Sequence, residues 1–252
     1  MADADWNNAA AVANSAEIVA GWEARSARLR AAHPGGMDLR YGPEERNRID
    51  FFPARRDAPV LAFIHGGYWQ ARAKEIFAFV AEGPLAWGIN VALIGYTLAP
   101  QKRLDGIVAE IRASLDWLQQ SLPLLGGTAI YVSGWSAGGH LTAMTVDHRA
   151  VAGGLAISGI FDLEPMRLSY INDKLRLDEA EAKRNSPGPT TKPLVVVYGA
   201  EELPELRRQS EDYARLLRGK AVALPRHNHF TVLEELASPH GMLTALVRKM
   251  TA

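Results

Sequence analysis

Short, unbroken apolar runs alternate along this chain with longer stretches in which apolar residues recur every three or four positions. Residues 59–65 (Pro-Val-Leu-Ala-Phe-Ile-His) and 89–96 (Ile-Asn-Val-Ala-Leu-Ile-Gly-Tyr) are runs of the first kind, the pattern of strands buried on both faces of a parallel sheet. Residues 46–53 (Arg-Asn-Arg-Ile-Asp-Phe-Phe-Pro) lie just upstream of these runs. Between 104 and 122, Ile107, Val108, Ile111, Leu115 and Leu118 fall at helical spacing, and Pro123 with Gly126-Gly127 closes the element. The alternation continues with a strand at 128–133, a helix at 137–146 and a glycine-interrupted strand at 151–158. Strands at 194–198 and 221–224 follow, separated by a helix over about 204–217. Near the start, Ile18, Val19, Trp22, Ala24 and Leu29 mark an N-terminal helix that His33-Pro-Gly-Gly interrupts. Strands alternating with helices predict βαβ units and an α/β fold, a mostly parallel central sheet with helices on both faces. Residues 162–193 are polar, end in Asn185-Ser-Pro-Gly-Pro-Thr-Thr-Lys-Pro and break the rhythm. They read as a short lid-like excursion above the sheet of a single domain spanning 1–252.

Composition narrows the function classes. Apolar residues make up 48% and charged residues 22%, ordinary globular usage that argues against disorder or coiled coil. Lys plus Arg (28) balances Asp plus Glu (28), so no overall field favours nucleic acid or an anionic membrane. With no cysteine, disulfide scaffolds, thiolate nucleophiles and cysteine-ligated zinc drop out together. The start, Met1-Ala-Asp-Ala-Asp-Trp-Asn-Asn, is acidic and lacks the pattern of a secretory signal, and no run of about 18 apolar residues occurs. The expectation is a cytoplasmic protein with neither nucleic-acid nor membrane partner, with a homo-oligomer left open.

The chemistry gathers at the strand ends. Gly134-Trp-Ser-Ala-Gly138 fits G-x-S-x-G where a predicted strand meets a predicted helix, the turn that holds a serine hydroxyl proud of the backbone. Ser136 is the candidate nucleophile, and Ala137, opening the helix, offers an N–H to a developing oxyanion. Ile64-His-Gly-Gly-Tyr-Trp follows an apolar strand where a second oxyanion loop is expected. Gly66 and Gly67 are the candidate donors there, with Tyr68 in reserve, and His65 is expected to anchor the loop. Tyr68, Trp69 and Trp135 offer flat apolar surface to a substrate.

In the chain order serine, acid, histidine, the base follows Ser136, leaving His140, His148, His227, His229 and His240. His227 and His229 follow the last strand, and His229 is the choice. The pair could ligate metal, yet no third ligand has matching spacing, so neither metal nor cofactor is expected. The acid should end the penultimate strand, where Glu201 and Glu202 stand side by side. Glu202 is preferred, with Asp162 as a third candidate.

These segments together resemble the α/β-hydrolases of the arylformamidase (kynurenine formamidase) type, related to hormone-sensitive-lipase-like esterases. The resemblance lies in His65-Gly-Gly-Tyr-Trp, Gly134-Trp-Ser-Ala-Gly-Gly-His140-Leu, Ser158-Gly-Ile-Phe-Asp-Leu, Pro204-Glu-Leu-Arg-Arg-Gln-Ser210 and His229-Phe. The opening Trp6-Asn-Asn and Tyr41-Gly-Pro followed by Arg48-Ile-Asp are similar too, so it spans nearly the whole chain. It implies an α/β-hydrolase fold with Ser136, His229 and Glu202 as the catalytic set. Two departures stand out: Glu202 occupies a position where the family generally has aspartate, and Trp135 one where histidine is expected. The resulting expectation is a serine hydrolase cleaving a small amide or ester, first of all N-formyl-L-kynurenine or a related aryl formamide. A carboxylesterase for short acyl esters is the nearest alternative. A non-catalytic ligand-binding homologue is the alternative of another class, and the presence of an occupant for every triad role speaks against it.

Overall fold

The computed structural model describes residues 3–252. Met1 and Ala2, the first residues of the acidic start and of the expected domain, lie outside the described residues. Among the described residues, eight strands form one sheet: β1 (Leu39–Arg40), β2 (Arg48–Phe52), β3 (Ala58–Ile64), β4 (Asn90–Ile94), β5 (Gly127–Trp135), β6 (Val151–Ile157), β7 (Leu194–Gly199) and β8 (Val222–Leu224). Their order is β1-β2-β4-β3-β5-β6-β7-β8. The β1–β2 and β2–β4 pairs are antiparallel and the rest parallel.

The central strands are apolar on both faces because both faces are covered. In β3, Leu61 and Phe63 join a core with Trp22, Phe77, Phe79 and Leu243. Val60, Ala62 and Ile64 point the other way, into a core with Ile107, Ile111, Leu115 and Leu141. That is the two-residue period of a strand between two helical layers. The Leu104–Leu125 and Ala137–Thr145 helices belong to one layer, the Ser15–Ala32 and Met242–Thr251 helices to the other.

Topology fixes the place of the site. The chain steps from β3 to β4 on one side, then returns through Leu104–Leu125 to β5 on the other side of β3. The loops leaving β3 and β5 therefore diverge at the strands' carboxyl ends, and such a switch point opens a crevice.

Several elements differ from the sequence-based expectation. The helix from Leu104 runs through Pro123 to Leu125. Gly126 ends it, in the left-handed region at φ 69° with its N–H bonded to Leu122 O. Lys74–Ala81 forms a 3₁₀ helix and Glu82–Ala86 an α-helical turn where no element was expected. Residues 162–193, expected as a lid, hold three short helices, Leu163–Arg167, Asn172–Leu175 and Glu179–Arg184. Leu163, Met166, Ile171, Leu175, Leu177 and Ala182 bury themselves in the core on the Ala137–Thr145 side. The segment is thus anchored, and only its Tyr170 reaches the crevice described below. Among the described residues, no helix is long and apolar enough to cross a membrane.

Candidate active site

Ser136 occupies the turn between β5 and the Ala137–Thr145 helix, with φ 58° and ψ −119°. A left-handed backbone at a non-glycine residue is held only by its surroundings, and here those are two glycines. A Cβ on Gly138 would lie 1.9 Å from Ile64 O, and one on Gly134 would lie 2.4 Å from Gly138 O. Bare backbone at both positions lets the turn close over the end of β3. The Ser136 hydroxyl has no hydrogen-bond partner among the described residues and faces a cavity of about 220 Å³.

His229 lines the same cavity. Its Nδ1–H donates to Glu202 Oε2 at 3.0 Å, so in the neutral imidazole Nε2 is the nitrogen that carries the lone pair. The other carboxylate oxygen, Oε1, accepts from Ser158 Oγ (2.5 Å) and from the Gly199 N–H (2.6 Å). Glu202 is buried with each oxygen engaged. Glu201 is exposed. Asp162 lies away from the imidazole as the N-cap of Leu163–Arg167, accepting from Glu164 N–H.

Backbone bonds stitch the two loops together: Ala200 N–H donates to Leu224 O (2.9 Å) and Glu201 N–H to His227 O (3.0 Å). Trp135 adds a third tie, its indole N–H donating to His229 O at 2.7 Å while the ring packs 4.7 Å from the imidazole. His227 goes elsewhere, with Nδ1 against Thr231 O and Nε2 against Glu235, so the His-x-His pair does not converge on one point.

The Gly66-Gly67 loop abuts Ser136. A Cβ on Gly66 would meet Trp135 Cε3 at 2.6 Å and Ser136 Cβ at 3.0 Å. Gly67, at φ 113°, and Tyr68 line the cavity, whereas Gly66 does not. Gly66 permits that close approach, and Gly67 and Tyr68 are the residues of this loop that line the cavity. Their N–H groups and that of Ala137 have no acceptor among the described residues. Ala137, as the first residue of its helix, has no intrahelical acceptor.

Two buried histidines support the frame. His65 Nδ1–H donates to Gly66 O (2.8 Å) and its ring stacks on Tyr96 at 4.3 Å. His140 Nε2–H donates to Asn185 O (2.7 Å). Burial lowers their pKa values to about 3 and about 4 respectively, so both are neutral at physiological pH.

The aromatic expectations divide. Tyr68 and Trp135 line the cavity. Trp69 does not: it is fully buried and meets His140 edge-on at 4.9 Å. Consecutive left-handed residues at 68 and 69 turn the chain sharply, which sends the neighbouring rings apart. Trp6, Asn7, Asn8, Arg72, Tyr170 and Phe230 also line the cavity, and none of them is among the site residues expected from the sequence. The motif similarity of Trp6-Asn-Asn was the one signal that could have pointed to the first three.

Comparisons with known proteins agree with this fold. A family described as alpha/beta hydrolase fold matches residues 61–226. The kynurenine formamidase of Danio rerio is 30% identical over 248 residues, covering 88% of this chain and 84% of that protein. The kynurenine formamidase of Salmo salar is 32% identical over 240 residues, covering 85% and 81%. A crystal structure of a proposed thioesterase from Silicibacter sp. TM1040 superposes with a TM-score of 0.89 at 27% identity, covering 97% of each chain.

Proposed function

Because the chain belongs to the α/β-hydrolase family, and within it to the kynurenine formamidase type, we propose that it is a serine hydrolase of aryl formamides, N-formyl-L-kynurenine foremost. The observation that carries this reading is the buried Glu202–His229 pair facing, across one small cavity, an unpartnered Ser136 hydroxyl on a left-handed turn.

In this mechanism Ser136 Oγ attacks the formyl carbon while His229 Nε2 takes its proton, and Glu202 stabilises the imidazolium without itself being protonated. The tetrahedral oxyanion rests on the N–H groups of Gly67, Tyr68 and Ala137. The C–N bond then breaks, His229 returns the proton to the departing aryl amine, and a formyl ester remains on Ser136. Water, deprotonated by His229, attacks that ester, and formate leaves as Oγ regains the proton. Trp6, Tyr68, Trp135 and Phe230 line the cavity and give an aryl leaving group flat apolar walls. Its volume of about 220 Å³ is below the roughly 300–1,000 Å³ of drug-sized ligand sites, which suits a compact substrate.

The test is kcat/KM on N-formyl-L-kynurenine beside p-nitrophenyl acetate and butyrate, a ratio that reports transition-state discrimination. Formylkynurenine is expected to be the best of the three, and Ser136→Ala should abolish turnover of all of them with circular dichroism unchanged. Efficient butyrate cleavage without formamide turnover would replace this reading with a carboxylesterase.

A further inference from the structure

Asn8, in the short Asn8–Ala11 helix, lines the catalytic cavity and is 6% exposed. Its amide orientation follows from the network around it. Tyr68 OH donates its single proton to Trp6 O (2.6 Å) and must therefore accept the 2.8 Å bond from Asn8 Nδ2. That leaves Asn8 Oδ1 as a buried acceptor with no partner, a costly arrangement unless something brings a donor.

Arg72 lines the same cavity from the far side of the oxyanion loop, its Cγ packed 3.3 Å from where a Gly67 Cβ would be. Arg46 pins its backbone by donating to Arg72 O (2.5 Å). The guanidinium is half-buried and has no hydrogen bond or ion pair among the described residues. Glu23 acts on it only from a distance, and desolvation lowers its pKa. Among the described residues, no acidic one lines the cavity. Asn8 and Arg72 thus both line one cavity, the first carrying a buried bare acceptor and the second a desolvated cation.

We propose that Arg72 and Asn8 form a subsite for the zwitterionic α-amino-acid end of the leaving group, Arg72 pairing with its carboxylate and Asn8 Oδ1 accepting from its ammonium. This assignment rests on the formamidase reading and deepens it, since an aryl formamide without the amino-acid end would leave both groups unused. A guanidinium suits a carboxylate because it can bond it through two parallel N–H groups. The subsite makes the enzyme selective for N-formylated aryl amines that carry an amino acid.

The experiment uses the full-length protein and three substrates: N-formyl-L-kynurenine, its analogue lacking only the α-amino group, and 2′-formamidoacetophenone, which lacks the whole amino-acid end. The readout is the ratio of kcat/KM values, in which general damage to the site cancels. Wild type should favour formylkynurenine over formamidoacetophenone, and Arg72→Gln should lower that preference about 10- to 100-fold, mostly through KM, as expected for a lost hydrogen bond to a charged group. Arg72→Lys should restore part of it. Asn8→Ala should erase the discrimination against the deaminated analogue. Unchanged ratios in both variants, with all three formamides turned over, overturn the subsite and leave the formamidase standing. No turnover of any formamide, with p-nitrophenyl acetate still cleaved, overturns the formamidase reading and this inference with it.

Discussion

At the scale of single residues, the position of Glu202 accounts for a glutamate where the resemblance leads one to expect aspartate. The turn Gly199–Glu202, closed by Glu202 N–H to Gly199 O (3.0 Å), returns the longer side chain toward β7, so that Oε1 meets the Gly199 N–H and the Ser158 hydroxyl while Oε2 meets His229. Glu202→Gln keeps the shape but offers an amide that favours the wrong imidazole tautomer. The expected loss in kcat is on the order of 10⁴-fold, as for the equivalent Asp→Asn change in a serine-protease triad. Glu201→Gln, at an exposed position, should leave kcat where it is, and steady-state kinetics of the two variants side by side decide the matter. Equal losses would remove Glu202 from the mechanism. Ser158, the first residue of a motif that carries the resemblance but suggests no role for it, donates to the same carboxylate. Removing its bond to the carboxylate with Ser158→Ala should cost kcat about 10-fold while KM stays put, in line with a hydrogen bond to a charged group.

Elements explain why the motif is spelled with glycines. Gly138 sits where its Cβ would collide with Ile64 O at 1.9 Å and approach His65 O at 2.9 Å, and backbone at the end of a central strand cannot yield. Gly138→Ala must therefore push the Ala137–Thr145 helix off β3, at about 1–3 kcal/mol or more for overpacking. For a chain of this length that lowers Tm by roughly 2–4 °C per kcal/mol. Activity should fall with it, because the same movement carries Ser136 away from Gly67. Gly188→Ala meets nothing within 4 Å and serves as the control, expected to melt with the wild type in scanning calorimetry. A wild-type Tm for Gly138→Ala would show that the turn is looser than this packing implies. The strand-to-helix turn was legible because it combines two periodicities, a continuous apolar run and then a helical one, around a fixed spacing of glycines. Lys74–Ala81 was not, since Ile76-Phe-Ala-Phe-Val-Ala81 is buried almost throughout and so has no polar face to betray a helix. Pro123 misled for the opposite reason: it lies in the last turn of its helix, and the left-handed Gly126 is what stops the chain. Trp69 misled because adjacency in sequence says little once two successive residues adopt positive φ.

The whole molecule has a pH dependence of stability written into its buried rings. His65 stands behind the Gly66-Gly67 loop and His140 behind the Ser136 turn, each fully buried and neutral, with pKa values lowered by desolvation to about 3 and about 4. In the unfolded chain both return to about 6.5, so between that value and about 4 the unfolded state binds protons that the folded state refuses. Stability is then complete above pH 6.5 and is lost as pH falls through this window, at a rate approaching 1.4 kcal/mol per pH unit for each ring. His148, lowered in the same direction by burial, adds to the loss. The carboxylates with lowered pKa values around Lys74, Asp38 and Glu75, contribute only further down, as pH falls below their ordinary values near 4. The range from pH 7.5 to 5.0 therefore isolates the histidines. Urea unfolding at those two pH values should show a substantial drop for the wild type. In His140→Gln, which can still donate to Asn185 O, the drop should be smaller by about 2 kcal/mol, because one buried ring no longer titrates. The comparison is between two pH values of the same variant, so any constant cost of the substitution cancels. An identical pH dependence in His140→Gln would mean that His140 takes up its proton in the folded state as readily as in the unfolded one, and that water reaches the back of the Ala137–Thr145 helix.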